Sequence, residues 1–331
     1  MADLRGNERG QIILVAAFAL AIIFVAMALV VNSAIFTENL ASRGETTGSN
    51  DALSMRAMVE ANVGDAVASA NRNNNASTAT LTTAVNASVR NISRQTGRQA
   101  ARSGRVVDVA YDSSTAGERV YQSDGTTFAN NSSAEYPVAE DVARVTDGNG
   151  TRAFEIDATD IAAANNDSAF TVRVQEHGLD SGNENSWRAR IWRVDSDTVH
   201  VRTLKNASGT TAIEDCEVTH DPSLSSVHVD VTAGTIEGEP CDALTTGPTG
   251  ENFHFGAGAT DNYDVSFANA DEITGNFSMV VHPGSSLSLP SLDSSLESSP
   301  ALYDVTVRYT YVTTDMRYET DVRVAPGEPD V

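Results

Sequence analysis

The chain has 331 residues, of which 40% are hydrophobic, and a formal net charge of −23 from 45 acidic and 22 basic residues. That apolar fraction is enough to build a core and excludes disorder throughout. The acidity, with no basic patch interleaved with aromatics, excludes nucleic acid as a partner.

Lys205 is the only lysine, so arginine carries nearly all the positive charge, and Asp and Glu are spread along the whole chain. Such a surface stays soluble in very concentrated salt, where charges are screened within roughly 3 Å at 1 M. The reading is a halophilic protein; the alternative is an ordinary acidic secreted protein.

The first element is Ile12 to Val31, IILVAAFALAIIFVAMALVV, an uncharged apolar run. About 20 such residues in a helix rise about 30 Å, the thickness of a bilayer core. Inside the bilayer a helix satisfies its own backbone groups. The run continues through Ala34, Ile35 and Phe36 and exceeds the apolar region usual in a secretory signal peptide. Arg5 and Arg9 precede it and Arg43 follows at a distance, so a short N-terminus inside and a long C-terminal part outside fits best.

At Arg9-Gly10-Gln11 a short charged leader ends in a small residue and the apolar helix starts at once. This junction resembles the cleavage site of archaeal type IV prepilins and archaellins. The resemblance covers about the first 36 residues and implies a cut by a prepilin-type peptidase between Gly10 and Gln11. It also implies packing of the freed helix with other pilin-like subunits in a filament. Many type IV pilins carry Glu five residues into the mature chain, where this sequence has Val15. The arrangement is similar to haloarchaeal pilin-like membrane proteins, a family of unestablished function. The bland alternative is an uncleaved signal anchor.

Residues 38–104 read as a helical stalk. Met55, Val59, Val63 and Ala66 form one apolar stripe, and Leu81, Val85, Val89 and Ile92 a second. Asn71-Arg72-Asn73-Asn74-Asn75 breaks the helix between them. From about Arg105 the period changes to two. Expected strands are Val106–Tyr111, Phe154–Asp157, Phe170–Gln175, Trp187–Val194, Val199–Leu204, Val227–Val231, Phe277–His282, Val305–Val312 and Tyr318–Val324. Turn signals stand at Asp180-Ser181-Gly182-Asn183, Asp195-Ser196-Asp197 and Thr313-Thr314-Asp315, and Ser285–Ser299 reads as a long surface loop. The expected fold is α+β: a transmembrane helix continuing into a helical stalk, then an antiparallel β-sandwich-like ectodomain. The divisions are 1–10 leader, 11–37 transmembrane helix, 38–104 stalk and 105–331 extracellular β domain.

Charge divides along the same line. Residues 38–104 hold five acidic and seven basic residues, whereas 105–331 hold 38 and 13. Arg90, Arg94, Arg98 and Arg102 recur every four residues, and like charges at that spacing repel. The ridge is expected to pack on the acidic β domain, a neighbouring subunit or anionic lipid. The competing reading is a ridge screened by salt alone.

Cys216 and Cys241 suggest one disulfide in an exported chain; two free thiols or half of a metal site are the other options, and no CxxC is present. Sequons stand at Asn75, Asn86, Asn91, Asn130, Asn131, Asn149, Asn166, Asn206 and Asn276, a modest excess over chance that fits a glycosylated surface protein.

No nucleophile–base, P-loop or H-E-x-x-H motif occurs. His177, His200, His220, His228, His254 and His282 are scattered. Glu214-Asp215 and Asp271-Glu272 read as solvated surface rather than acid–base pairs. Asp195-Ser196-Asp197 and Asp147-Gly148-Asn149-Gly150 lack a complete calcium loop and read as turns. Trp187 and Trp192 fall on opposite faces of one strand, while Tyr309 and Tyr311 share a face. The sequence therefore predicts no enzyme, no cofactor and no metal. It points to a single-pass surface protein, N-terminus cytoplasmic, with a structural, adhesive or accessory role in a type IV filament-like system. A non-polymerising anchored binding or sensor ectodomain is the runner-up.

Overall fold

In the computed structural model, helix α1 (Arg5–Asn73) is unbroken for 69 residues. The structure describes residues 5–73, 75–128, 135–144, 150–162, 165–179, 184–195, 197–221, 223–282, 287–289 and 296–327; side chains within α1 are described at 18, 20, 23–25, 27–32 and from 49 onward. Nine large apolar side chains between Phe18 and Val31 are 51–69% exposed. Among the described residues, no helix is long and apolar enough to cross a membrane.

The expected break falls where the asparagines are. After Asn73, helix α2 (Thr78–Ala101) begins, capped by Ser77, whose hydroxyl accepts from the Thr80 N–H at 3.2 Å. The buried stripe of α1 is Val59, Val63, Val67 and Ala70; it runs through Val67 rather than the expected Ala66, because the helix keeps its period of about 3.6. On α2 it is Leu81, Val85 and Val89.

Among the described residues fourteen strands follow, and every paired ladder is antiparallel. They are β1 (Val106–Gln122), β2 (Tyr136–Val142), β3 (Thr151–Ile161), β4 (Phe170–Glu176), β5 (Ser186–Arg193), β6 (Thr198–Ala207), β7 (Thr210–Thr219), β8 (Val227–Asp230), β9 (Thr235–Ile236), β10 (Glu239–Pro240), β11 (Tyr263–Ala268), β12 (Ile273–Val281), β13 (Glu297–Val312) and β14 (Arg317–Val324). Eight form one sheet in the order β10-β9-β8-β3-β12-β1-β13-β14, and six form another in the order β2-β11-β4-β5-β6-β7. The fold is thus α+β with antiparallel sheets.

Two cores result. Phe154, Ile156, Phe277, Met279, Val227 and Val229 of the larger sheet pack against Phe170, Val172, Trp187, Ile191, Val201 and Phe267 of the smaller. Phe128, Phe154, Phe170, Phe267 and Phe277 form its aromatic centre, many of their ring pairs edge-on. The other end of the larger sheet turns Val107, Val109, Val305, Val307, Tyr309, Tyr311, Val322 and Val324 against the two helical stripes. From Ala52 onward the helices are packed on the β domain. Gly97 permits the approach of α2 to β1: a Cβ there would lie 3.1 Å from the Val107 carbonyl oxygen.

Trp187 enters the main core. Trp192, on the opposite face of β5, packs with Ala169 and stacks on His200. Five strands lie outside the sequence reading: β2, β7, β9, β10 and β11. The turn Thr313-Thr314-Asp315 is observed, its Thr313 hydroxyl accepting from the Met316 N–H. The loop expected over Ser285–Ser299 ends earlier, because β13 already begins at Glu297 beside Tyr121 of β1; residues 283–286 and 290–295 lie outside the described residues, as does the turn Asp180-Ser181-Gly182-Asn183.

Candidate functional site

A cleft of about 290 Å³ opens where the end of α1 meets the outer face of β1, β3, β12 and β8. Strand alternation creates it. Ile156 and Val229 point into the core, so their neighbours Glu155, Asp157, His228 and Asp230 point out. The register sets Glu155 opposite Asp230 and Asp157 opposite His228. The second pair is complementary, with His228 Nδ1 2.8 Å from Asp157 Oδ1. The first is a like-charge pair, an unfavourable arrangement across strands. Burial, and then Asp230, push the Glu155 carboxyl above the usual carboxylate range. Burial works against the charged form of His228, but Asp157, Glu155 and Asp230 together outweigh it and the net shift is upward.

Arginines line the cleft as well. Arg119 Nε donates to Ser278 Oγ at 2.8 Å and its guanidinium lies 4.2 Å over the Tyr121 ring. Burial lowers its pKa. Arg152 is fully buried, donates to the Tyr303 carbonyl at 3.1 Å and stacks 3.8 Å over that ring. Arg72 projects from the last turn of α1, where a cation suits the helix dipole. The cleft thus brings Glu155, Asp157 and Asp230 together with Arg72 and Arg119, which suits a polar ligand carrying both charges. Among the described residues no group of three or more His, Cys, Asp or Glu could hold a metal ion.

A second groove runs between α2 and β1, with Asn86, Arg90, Asn91, Arg94 and Tyr111 along it. Ser93 ties its floor, donating to Asp108 Oδ1 at 2.9 Å and accepting from the Val109 N–H at 3.0 Å. Arg90, Arg94, Arg98 and Arg102 are all exposed. Arg90 donates to the Asn86 carbonyl and Arg94 to the Asn91 side chain, both within their own helix.

Cys216 and Cys241 form a disulfide with their Cα atoms 5.5 Å apart. It joins β7, an edge of the smaller sheet, to the segment following β10, an edge of the larger. Gly10 and Gln11 lie within the α1 backbone, their side chains outside the described ones. Of the sequons, Asn130, Asn131 and Asn149 lie outside the described residues. Asn91 is exposed, while Asn75, Asn86, Asn166, Asn206 and Asn276 are half-buried. Asn75 donates to Ser299 Oγ, and Asn276, on the rim of the cleft, accepts from the Gly125 N–H.

The histidines are not gathered. His177 pairs with Asp264, His200 with Glu217 and His220 with Glu237, each at a separate place. His282 meets Tyr303 edge-on. Asp215 is paired to Arg202, and Asp195 caps its own turn through the Asp197 and Thr198 N–H groups. The cleft residues Arg119, Glu155, Asp157 and Asp230 escaped the sequence reading. The signal was the charged alternate position in two short strands.

A family model described as "Family of unknown function (DUF7261)" matches residues 6–146, which span most of α1, all of α2, β1 and β2 and less than half of the chain. No curated protein and no solved structure matches the chain.

Proposed function

We propose that the protein is a pilin-like, single-pass membrane-anchored cell-surface protein of a haloarchaeon, with a structural, adhesive or accessory role in a type IV filament-like system. The observation that carries this reading is the uncharged stretch Ile12–Val31 at one end of a 69-residue helix whose other end is docked on a β domain. Large apolar side chains exposed around a helix need a non-aqueous partner, either lipid or other apolar helices. Arg9-Gly10-Gln11 stands where a prepilin-type peptidase would cut. The disulfide and the sequons agree with an ectodomain outside the cell.

Two measurements on the chain made in a halophilic host test this reading. Membrane fractionation should place the chain with lipid, and mass spectrometry of its N-terminus should find Gln11 first. A soluble chain rejects the anchor, and a retained leader in a membrane-bound chain rejects the pilin-like route.

The runner-up, an anchored binding or sensor ectodomain that never polymerises, is favoured by the cleft between Arg119 and Glu155. Retention in the membrane as single copies, together with uptake of a zwitterionic ligand that is lost in Arg119→Gln, would support it.

A further inference from the structure

We propose that the basic face of α2 is a docking surface for the acidic β domain of a second copy of this chain. The inference rests on the pilin-like reading and names a surface by which copies would meet.

From Ala66 to Val107 the chain has 42 residues without one Asp or Glu, although the whole chain carries 45. The same interval holds six arginines, four of them Arg90, Arg94, Arg98 and Arg102. At about 3.6 residues per turn these four centre on the side of α2 opposite its buried residues Leu81, Val85, Val89, Thr96 and Ala100. The ridge therefore points away from the buried stripe, with Arg90 and Arg94 also bordering the groove beside β1. Among the described residues none of the four reaches a carboxylate within ion-pair distance.

Lipid is also out of reach. Arg105, just past α2, is paired to Asp51 of α1, so the lower end of the ridge is level with Asp51. Val31 to Asp51 is continuous helix, which separates that end from the apolar run by about 30 Å. Charges so far apart are screened at a Debye length of about 8 Å and less in stronger salt. What complements the ridge is the 105–331 portion, with 38 acidic and 13 basic residues. Ridge and acceptor are different surfaces, so the contact is heterologous and extends into rings or open filaments.

The test uses the full chain in phosphatidylcholine vesicles containing phosphatidylglycerol. One preparation carries Arg94→Cys labelled with benzophenone maleimide, the native cysteines being bonded to each other; a second, unlabelled with the probe, is uniformly ¹⁵N. The expected result is photo-adducts joining position 94 to peptides of 105–327 in the ¹⁵N copy. Replacing the other three arginines with Gln should cut their yield roughly tenfold and leave the thermal midpoint unchanged. Adducts confined to lipid, to the same copy or to α2 of the other copy overturn the proposal, as does a yield that the substitutions do not alter. Flotation of the same vesicles reads the anchor separately: a floating chain with no inter-copy adduct rejects the docking alone, and a chain that fails to float rejects the anchor, with the adducts still scored in solution.

Discussion

Asn71 and Leu302, 231 residues apart in sequence, exchange two hydrogen bonds: the Asn71 amide donates to the Leu302 carbonyl at 2.9 Å, and the Leu302 N–H donates to Asn71 Oδ1 at 2.8 Å. The side chain acts as one rung of a missing strand. β14 pairs with β13 only between Val305 and Val312, so Leu302 lies beyond its reach. Asn71 is buried. Asn71→Leu orphans both backbone groups and should cost about 2–4 kcal/mol, read by denaturant unfolding. Asn71→Asp keeps the acceptor, loses the donor and buries a charge; it should be no better. A loss under about 0.5 kcal/mol in either variant would show that the pair does not hold α1 to the sheet.

A second tie lies nearer the apolar end of α1. The Tyr309 hydroxyl donates to the Ala52 carbonyl at 3.1 Å, and burial pushes its pKa up to about 12. Tyr309→Phe keeps the ring in the helix–sheet core and removes one neutral bond, a loss of about 1 kcal/mol. Tyr309→Ala also opens a cavity and should cost about 3–5 kcal/mol. Equal losses in the two variants would mean that the hydroxyl, not the packing, supports this interface.

The strands read most easily from sequence are those whose alternation has one core to answer to. Val305, Val307, Tyr309 and Tyr311 all face the helices, and Trp187 and Trp192 fall on opposite sides as parity requires. β7 is hard to read because it is an edge strand whose Thr210, Thr211, Asp215 and Glu217 face solvent. β2 opens with Tyr136-Pro137, and Pro marks an edge. β9 and β10 are two residues each, shorter than any period. The cleft follows a different logic. That Glu155 and Asp230 are polar positions in alternating strands was legible, but their opposition depends on β3 lying between β8 and β12. Strand order is a long-range property, and so is the Asn71–Leu302 pair. The arginine ridge was legible in full, since it needs only helical spacing.

The Cys216–Cys241 bond closes a segment with a sequence separation of 25 and links the edges of the two sheets. In the chain-entropy account a loop of that size is worth roughly 3–4 kcal/mol. The double substitution Cys216→Ser with Cys241→Ser should lower the denaturant midpoint accordingly, and reductant should bring the parent chain to the same value. Reductant that shifts the double variant equally would show that its effect lies elsewhere.

The cleft should make stability fall from acid to neutral pH. The Glu155 carboxyl is raised in the folded state, so folding holds its proton more tightly; its contribution is present below the unfolded value of about 4.3 and lost as pH rises through the folded one. His228 is also raised, and its contribution is present below about 6.5 and lost as pH rises through its folded value. Glu155→Gln cannot ionise and has no like-charge conflict with Asp230. It should match the parent chain near pH 4 and exceed it at pH 7. His228→Gln should fall below the parent near pH 5.5 and approach it above pH 8. Denaturant midpoints at constant salt across pH 4–8 read both curves, and a parallel offset at every pH in either variant would remove the cleft from the account.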